Sequence, residues 1–214
     1  MLGTPTRDRK AERRAETRRE ILDAAWSIAA EHGLNQVTLR DVAARVGMQA
    51  PSLYTHFDSK LAIYDAMFEQ AWREYEETLP AVGAALPTDD PREAAYLLGR
   101  HFYEYAAADL PRHQLMNQRI IPGFEPSAAA YAPSVRVFEH GRDQVCSLGD
   151  LDADDFDLFV ALVGGLINQH HANDPGGTRY AGLLRRALDM WSDAVGLPPS
   201  SATRRPSSRK ASTR

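Results

Sequence analysis

The sequence predicts an all-α protein, and three observations support this. Apolar residues recur at helical spacing, whereas alternating β-branched runs closed by hairpin turns are absent. Helix start signals occur in the form of capping boxes, in which Thr17 and Thr38 each stand three residues before an acidic side chain. Pro and Gly residues divide the remaining chain into segments of helical length. We therefore expect about nine helices.

Composition limits the class of protein. A hydrophobic content of 43% over 214 residues is sufficient for a core. The single cysteine, Cys146, excludes an internal disulfide and a four-cysteine zinc site, and it suits a reducing compartment. The chain has no long uninterrupted apolar run, and its first residues are charged. We expect a cytoplasmic protein that does not bind membranes.

Charge is distributed unevenly along the chain. Residues 1–60 contain ten Lys/Arg and eight Asp/Glu, residues 61–197 contain ten and twenty-one, and residues 198–214 contain five basic residues and no acid. A polyanionic partner would be attracted by the two ends and repelled by the middle. Solvated helix surfaces and tails would explain the same pattern.

Four segments follow from these patterns. Residues 1–16 and 198–214 are polar and lack periodicity, so we predict a charged disordered arm and a basic disordered tail. Residues 17–62 have the pattern of three short helices, and residues 63–197 have that of a larger helical domain.

Residues 38–57 predict a helix-turn-helix. A short helix begins at the Thr38 cap and ends at Gly47, and a second begins almost immediately, with Pro51 tolerated in its first turn. Leu53 and Phe57, four residues apart, form the inward face of the second helix. Such a helix can lie in the major groove of DNA.

The outward side chains of this helix suit contacts with double-stranded DNA. Small and hydrogen-bonding side chains that could approach base edges are Ala50, Pro51, Ser52 and Thr55. Side chains that suit phosphate oxygens are Ser52, Tyr54, His56 and Lys60. Alternatively, Tyr54 and His56 cap a small core.

The segment TLRDVAARVGMQAPSLYTHFDSKLAIYDAM resembles the DNA-binding segment of the tetracycline-repressor (TetR) family of bacterial regulators. The resemblance covers roughly residues 17–70, and it implies a homodimer with an N-terminal DNA-binding unit and a C-terminal domain for dimerisation and small-molecule sensing. It also implies phosphate contacts for Thr38, Tyr54, His56 and Lys60. Positions that face bases would be Arg40, Gln49, Ala50, Pro51, Ser52 and Thr55. Gln49 and Thr55 depart from the residues frequent in the family, so the operator sequence does not follow.

The last two predicted helices are apolar on more than one face, which requires burial on two sides. We expect them to form a four-helix interface between two protomers. The predicted interface residues are Phe159, Val163, Gly164, Ile167, Leu184, Leu188 and Trp191. A thick core within one chain is the alternative. LFVALVGGLINQHHANDPGG and RIIPGFEPS also resemble the sensing domain of actinobacterial members of the family.

Residues 101–140 and the helix near 168 contain candidates for an effector pocket. An apolar pocket with a few polar groups is the usual form of such a site. The predicted effector residues are Phe102, Tyr105, Met116, Arg119 and Asn168. Residues 122 and 123 would form its entrance. A plain core with exposed polar residues would explain the same composition.

The sequence gives no support to an enzyme. Neighbouring histidines at 170 and 171 point about 100° apart on a helix, and no nucleophile elbow or phosphate-binding glycine loop is present. We expect no catalytic residue, metal or cofactor. The predicted function is a homodimeric regulator, more specifically a repressor, that binds a palindromic operator in double-stranded DNA and is released by a small molecule. The alternative is an architectural or partner-binding DNA-binding protein without an effector.

Overall fold

The structure is a computed structural model that describes residues 9–200. Within this range the chain forms ten α-helices and one 3₁₀ turn, without any strand. The elements are α1 (Arg9–His32), a 3₁₀ turn (Leu34–Gln36), α2 (Leu39–Arg45), α3 (Ala50–Leu53), α4 (Lys60–Glu76), α5 (Leu79–Ala85), α6 (Pro91–Ala108), α7 (Leu110–Asn117), α8 (Ala128–Cys146), α9 (Ala153–Asn173) and α10 (Ala181–Ala194). The predicted fold class is confirmed.

Helix α5 was not predicted. Pro80 marks the end of a helix in the sequence pattern, but in the structure it occupies the first turn of α5. The first turn has no internal partner for its N–H groups, so proline is tolerated there. A proline between two apolar stretches is thus compatible with both the end of one helix and the start of the next.

The helix start predicted at Thr17 is wrong, because α1 is already helical at Arg9. Arg, Glu, Ala and Lys dominate residues 9–16, and all four favour helices strongly. The predicted disordered arm is therefore helical over its second half. Its residues 1–8 and the tail residues 201–214 lie outside the described residues.

Contacts divide the chain into two compact units. Of the described residues, the first unit contains those up to Glu76 together with Asp109–Val137, and the second contains Glu77–Ala108 together with those from Phe138 onward. The helix-turn-helix thus shares its unit with α4, α7 and the first half of α8. The boundary at residue 62 between a DNA-binding domain and a ligand-sensing domain stays a prediction.

The core of the first unit is built on α1. Its residues Ile21 and Ala25 are completely buried, as are Val42 of α2 and Tyr64 of α4. The hydroxyl of Tyr64 donates to the carbonyl of Leu34, and its burial raises the pKa of this phenol to about 12. The 3₁₀ turn is thereby fixed to α4.

The core of the second unit consists of α6, α9 and α10. Six of the seven side chains predicted for a dimer interface belong to this core: Phe159, Val163, Ile167, Leu184, Leu188 and Trp191. Phe159 and Trp191 form an edge-to-face pair at 5.2 Å, and the indole N–H of Trp191 donates to the carbonyl of Asp155 at 3.0 Å. These side chains pack against each other within one chain, as the alternative of a thick core expects, and their place in a contact between protomers stays a prediction.

The opposite faces of α9 and α10 are apolar and exposed. Leu158 and Leu162 of α9 are 58% and 37% exposed, and Leu183 and Met190 of α10 are 40% and 63% exposed. The predicted interface residue Gly164 is half-buried on α9. No helix within residues 9–200 is sufficiently long and apolar to cross a membrane.

Candidate DNA-binding site and ligand pocket

Helix α2 begins at its predicted cap. The hydroxyl oxygen of Thr38 accepts a hydrogen bond from the backbone N–H of Asp41 at 3.2 Å, and the hydroxyl donates to the Asp41 carboxylate at 2.6 Å. At the other end, Gly47 has a φ of 69°, and the N–H of Met48 bonds to the carbonyl of Ala43 at 2.8 Å. Glycine adopts this φ without strain, so the tight turn between α2 and α3 follows from one residue.

The second helix of the pair is shorter than the sequence pattern predicts. Helix α3 has four residues, and the chain continues in turns through His56. The N–H groups of His56 and Phe57 both bond to the carbonyl of Leu53, at 2.9 and 3.0 Å. Gln49 stands at the N-cap without a side-chain bond, because glutamine is not a favourable capping residue. We call residues 49–56 the reading segment.

Buried side chains and two arginines hold the reading segment. Leu53 is 0% and Phe57 is 2% exposed. Arg18 of α1 lies over the Phe57 ring, with 4.0 Å between its guanidinium carbon and the ring centroid, and donates to the carbonyl of His56. Arg14 donates to the carbonyl of Thr55 at 3.1 Å. These orphan carbonyls at the end of the turn are thereby satisfied.

Sequence reasoning missed the role of Arg14 and Arg18. The available signal was their spacing of four residues, which continues the inward face that Ile21 and Ala25 occupy. The predicted start at Thr17 placed Arg14 in the disordered arm. It therefore hid this pattern.

Most of the predicted outward residues are exposed to solvent. Tyr54 is 51% exposed, which excludes the alternative that it caps a small core. Arg40 of α2 is also exposed. The remaining exposed members are Thr38, Gln49, Pro51, Ser52 and Thr55, and Ala50 is half-buried.

His56 and Lys60 are less free than the sequence indicates. His56 is half-buried, its Nδ1 is enclosed without a hydrogen-bond partner, and its pKa is lowered by burial and by Arg14 and Arg18. The ammonium of Lys60 donates to the carbonyl of Asn35 at 3.1 Å, and burial lowers its pKa. His56 is therefore neutral near pH 7, while Lys60 has one of its three donors occupied.

An ion pair fixes α2 to α1. The guanidinium of Arg45 binds both carboxylate oxygens of Glu31, at 2.6 and 2.7 Å, and also donates to the hydroxyl of Ser27 at 2.5 Å. The hydrogen bond from Arg45 lowers the pKa of Glu31 to about 2. This bidentate geometry sets the orientation of α2 more than it adds stability, since the pair is solvated.

The first unit also contains a pocket of about 420 Å³. Its lining residues are Phe68, Leu115, Met116, Asn117, Gln118, Arg119, Ile121, Phe124, Glu125, Pro126 and Tyr131. Of the predicted effector residues, it includes Met116 and Arg119. Phe102, Tyr105 and Asn168 belong to the second unit and do not line it. This pocket therefore does not bring the five predicted effector residues into one site.

Aromatic rings form one wall of the pocket. Phe68 and Tyr131 are nearly parallel, with an interplanar angle of 13° and 6.2 Å between centroids, and Phe124 meets Phe68 edge-on at 6.4 Å. The charged side chains of Arg119 and Glu125 are exposed and lie among the lining residues. This combination of apolar surface and a few polar groups is typical of small-molecule sites.

Helix α7 connects the pocket to α1. Its last residues, Met116 and Asn117, line the pocket. Near its start, the guanidinium of Arg112 lies 4.7 Å from the centroid of the Trp26 ring and donates to Glu74 of α4. The Trp26 indole N–H, in turn, donates to the side chain of Gln70 in α4 at 3.1 Å. One short helix thus contacts both the pocket and the helix that holds the reading segment.

A capped helix, a glycine turn and an exposed second helix held from behind define a helix-turn-helix DNA-binding regulator of transcription. The family model described as "Bacterial regulatory proteins, tetR family" matches residues 21–67. Residues 21–67 are therefore similar to the DNA-binding part of TetR-family regulators, and the resemblance seen in the sequence is confirmed over these residues.

Relatives match the chain over different lengths, and a solved structure shares its fold. The tetracycline repressor protein class A from transposon 1721 of Escherichia coli is 25% identical over 188 residues, which cover 81% of this chain and 80% of that repressor. The class D tetracycline repressor of Escherichia coli is 36% identical over 67 residues, or 31% of each chain. The crystal structure of a TetR-family transcriptional regulator from Bordetella parapertussis 12822 has a TM-score of 0.62 and 19% identity, with coverage of 86% of this chain and 98% of that one.

The environment of His56 predicts a pH dependence of stability. Because its pKa in the folded protein lies below the usual 6.5, the unfolded chain binds a proton more readily as the pH falls through 6.5. His56 therefore lowers the free energy of unfolding between pH 6.5 and its folded pKa, and has no such effect above pH 6.5. From pH 7.5 to pH 5.5, the free energy of unfolding in urea should decrease less for His56→Gln than for the wild type. We expect a difference below about 1 kcal/mol for a half-buried imidazole.

His140→Gln is the matched control, because His140 lies exposed on α8. It should retain the full pH dependence of the wild type. Equal decreases in His56→Gln and the wild type would contradict the assignment of a neutral His56.

Proposed function

We propose that the protein is a repressor that binds a palindromic operator as a homodimer and is released by a small, flat effector bound next to α7. The observation that carries the proposal is the reading segment, whose polar and small side chains are exposed while Leu53 and Phe57 fix it to the core. The relative that matches over 80% of its own length is named a tetracycline repressor, which supports repression over activation.

In the proposed complex, the side chains of the reading segment have two roles. Pro51, Ser52 and Thr55, with Ala50 between them and the turn, approach base edges, and Gln49 and Arg40 lie at the margin of the same face. Tyr54 donates a hydrogen bond to a phosphate, as does the Lys60 ammonium with the donors that Asn35 leaves available. Thr38 contacts a phosphate only when its hydroxyl turns away from the Asp41 carboxylate. His56 is expected to contribute a neutral hydrogen bond and no charge.

Dimerisation is proposed through the exposed apolar faces of α9 and α10. Leu158 and Leu162 lie one turn apart on α9, and Leu183 and Met190 lie two turns apart on α10, so each pair forms a stripe. Exposed apolar patches of this kind mark protein–protein contacts. A two-fold dimer would present two reading segments, which is what a palindromic operator requires.

The effector proposed for the pocket is a largely apolar molecule with a flat ring and hydrogen-bonding substituents. The parallel rings of Phe68 and Tyr131 favour a planar partner, and Asn117, Gln118 and Arg119 supply donors at the margin. Binding would move α7, because Met116 is part of both the pocket and that helix. A shift of Arg112 against Trp26 would then alter α1 and the reading segment. The pocket favours this regulator over an architectural protein without an effector.

Sequence recognition can be tested on DNA fragments selected from a random pool. Ser52→Ala should change the preferred base at one position of each half-site by about 1–3 kcal/mol, because it removes a hydroxyl that faces base edges. Tyr54→Phe should weaken binding to all sequences alike, since a phosphate contact carries no sequence information. Titrations by fluorescence anisotropy measure both.

The control for Tyr54→Phe is Tyr131→Phe, which removes a hydroxyl from a tyrosine of the same 51% exposure in the pocket wall. It should leave operator affinity unchanged. Unaltered affinity and preference in both Ser52→Ala and Tyr54→Phe would refute the proposed DNA-binding face.

The dimer interface can be tested by placing a charge on the α9 stripe. Leu162→Glu should convert the protein to a monomer, because two carboxylates would face each other across an apolar contact. Light scattering coupled to gel filtration gives the mass. Leu110→Glu is the control, since Leu110 is 40% exposed on α7, and it should remain a dimer. A dimeric Leu162→Glu variant would exclude this surface as the interface.

Pocket occupancy can be tested with a panel of bicyclic aromatic alcohols and carboxylates as probes. Probes that bind should raise the melting temperature, because a ligand at a hundred times its Kd adds about 2.7 kcal/mol to the free energy of unfolding. The same probes should release the operator fragment. Met116→Trp should abolish both effects by filling the pocket.

Val135→Ala is the control, since Val135 is an exposed apolar residue of α8 outside the pocket lining, one turn from Tyr131. It should retain both effects. Probe binding that survives in Met116→Trp would show that the effector site lies elsewhere.

A further inference from the structure

One face of the N-terminal half of α1 carries basic residues alone, whereas the opposite face carries both acidic and basic residues. One stripe, with a spacing of four residues, consists of Lys10, Arg14 and Arg18. A second stripe with the same spacing, two positions further along, consists of Glu12, Glu16 and Glu20. Two positions correspond to about 200° around a helix, so the two stripes point away from each other.

The basic stripe is the one that faces the reading segment. Arg14 donates to the carbonyl of Thr55 at 3.1 Å, and Arg18 donates to that of His56. Further along α1, the same face carries Ile21 and Ala25, which are completely buried. The inward face of α1 therefore changes from apolar to basic at the point where α1 passes the end of the reading segment.

The arrangement of charges points to a polyanion at this edge. Lys10 lies one turn, or about 6 Å, further out than Arg14. A ligand bound against Tyr54 and Thr55 would meet the basic stripe, whereas the three glutamates are turned away from it. Helix stability does not explain the basic stripe, because like charges four residues apart do not stabilise a helix, whereas Arg9, Arg13 and Arg19 already stand three residues from glutamates on the other face.

We propose that Lys10 and Arg14 bind phosphates of the DNA backbone beside the reading segment, which makes the first turns of α1 a part of the DNA interface. The partner is double-stranded DNA, recognised through its charge and without regard to sequence. Arg14 has a second role, since its bond to Thr55 orients the end of the reading segment. The inference rests on the proposed placement of that segment against DNA.

The salt dependence of binding by the full chain tests this inference. Lys10→Gln should reduce the slope of log K against log salt concentration by about 0.9 for each phosphate that is no longer neutralised, hence by about two in a dimer with one such phosphate per protomer. The relative affinities for different sequences should not change. Lys10 is the informative position, because its replacement leaves the hydrogen bonds of Arg14 and Arg18 in place.

The matched control is Arg19→Gln. It makes the same change of charge in the same exposed part of α1, but Arg19 lies five positions from Arg14 and so about 140° around the helix. Its slope should equal that of the wild type. Glutamine favours helices about as well as lysine and arginine, and circular dichroism of both variants should match the wild type.

The possible outcomes separate the two proposals. If Lys10→Gln and Arg19→Gln show the same slope while Ser52→Ala alters sequence preference, the reading segment is correct and the role of the basic stripe is wrong. A wild-type protein that selects no DNA sequence overturns both. A lower slope in Lys10→Gln alone supports the inference.

Discussion

The DNA-binding unit depends on the anchoring of a helix that cannot exist alone. Four residues of α3 make one turn, and the first turn of a helix fixes several backbone dihedrals in return for a single hydrogen bond. Burial of Leu53 and Phe57 supplies the free energy that the turn itself lacks. Arg18 adds a second constraint, because it covers the outer side of Phe57 and binds the carbonyl of His56 at once. The other elements of the first unit are arranged so that this anchoring is possible.

Helix α1 has a larger part in this arrangement than its place at the start of the chain indicates. It contributes the buried face that packs against α2 and α4, the carboxylate that orients Arg45, and the indole that meets Arg112 of α7. The helix that holds the reading segment is therefore also in contact with α7. The pocket and the reading segment lie within a single compact unit, so the proposed coupling would pass through direct side-chain contacts.

Local signals in the sequence predicted most of the helices and the turn between α2 and α3. The Thr38 cap and the Gly47 turn depend on backbone hydrogen bonds within a few residues, and both are present as predicted. The start of α1 was not predictable from a capping pattern, because Thr17 lies within a run of strong helix formers and its box is not used. Periodicity identified two apolar faces on α9, and in the structure the face of Phe159 is buried within the chain while Leu158 is exposed. Hydrophobic periodicity shows how many faces of a helix are apolar, whereas the tertiary structure decides which face is buried within the chain. The pocket likewise required tertiary structure, since Phe68 and Tyr131 are far apart in sequence.

The separation of anchoring residues from outward residues has a consequence for evolution and engineering. Pro51 and Ser52 are exposed and carry none of the core, so substitutions there should cost less than about 0.5 kcal/mol of folding free energy. Substitutions at Pro51 and Ser52 should leave the buried environment of Leu53 unchanged. New operator sequences can thus be acquired by changing a few surface side chains, without compensating changes elsewhere. The scaffold is suited to libraries in which specificity is varied at a nearly constant melting temperature.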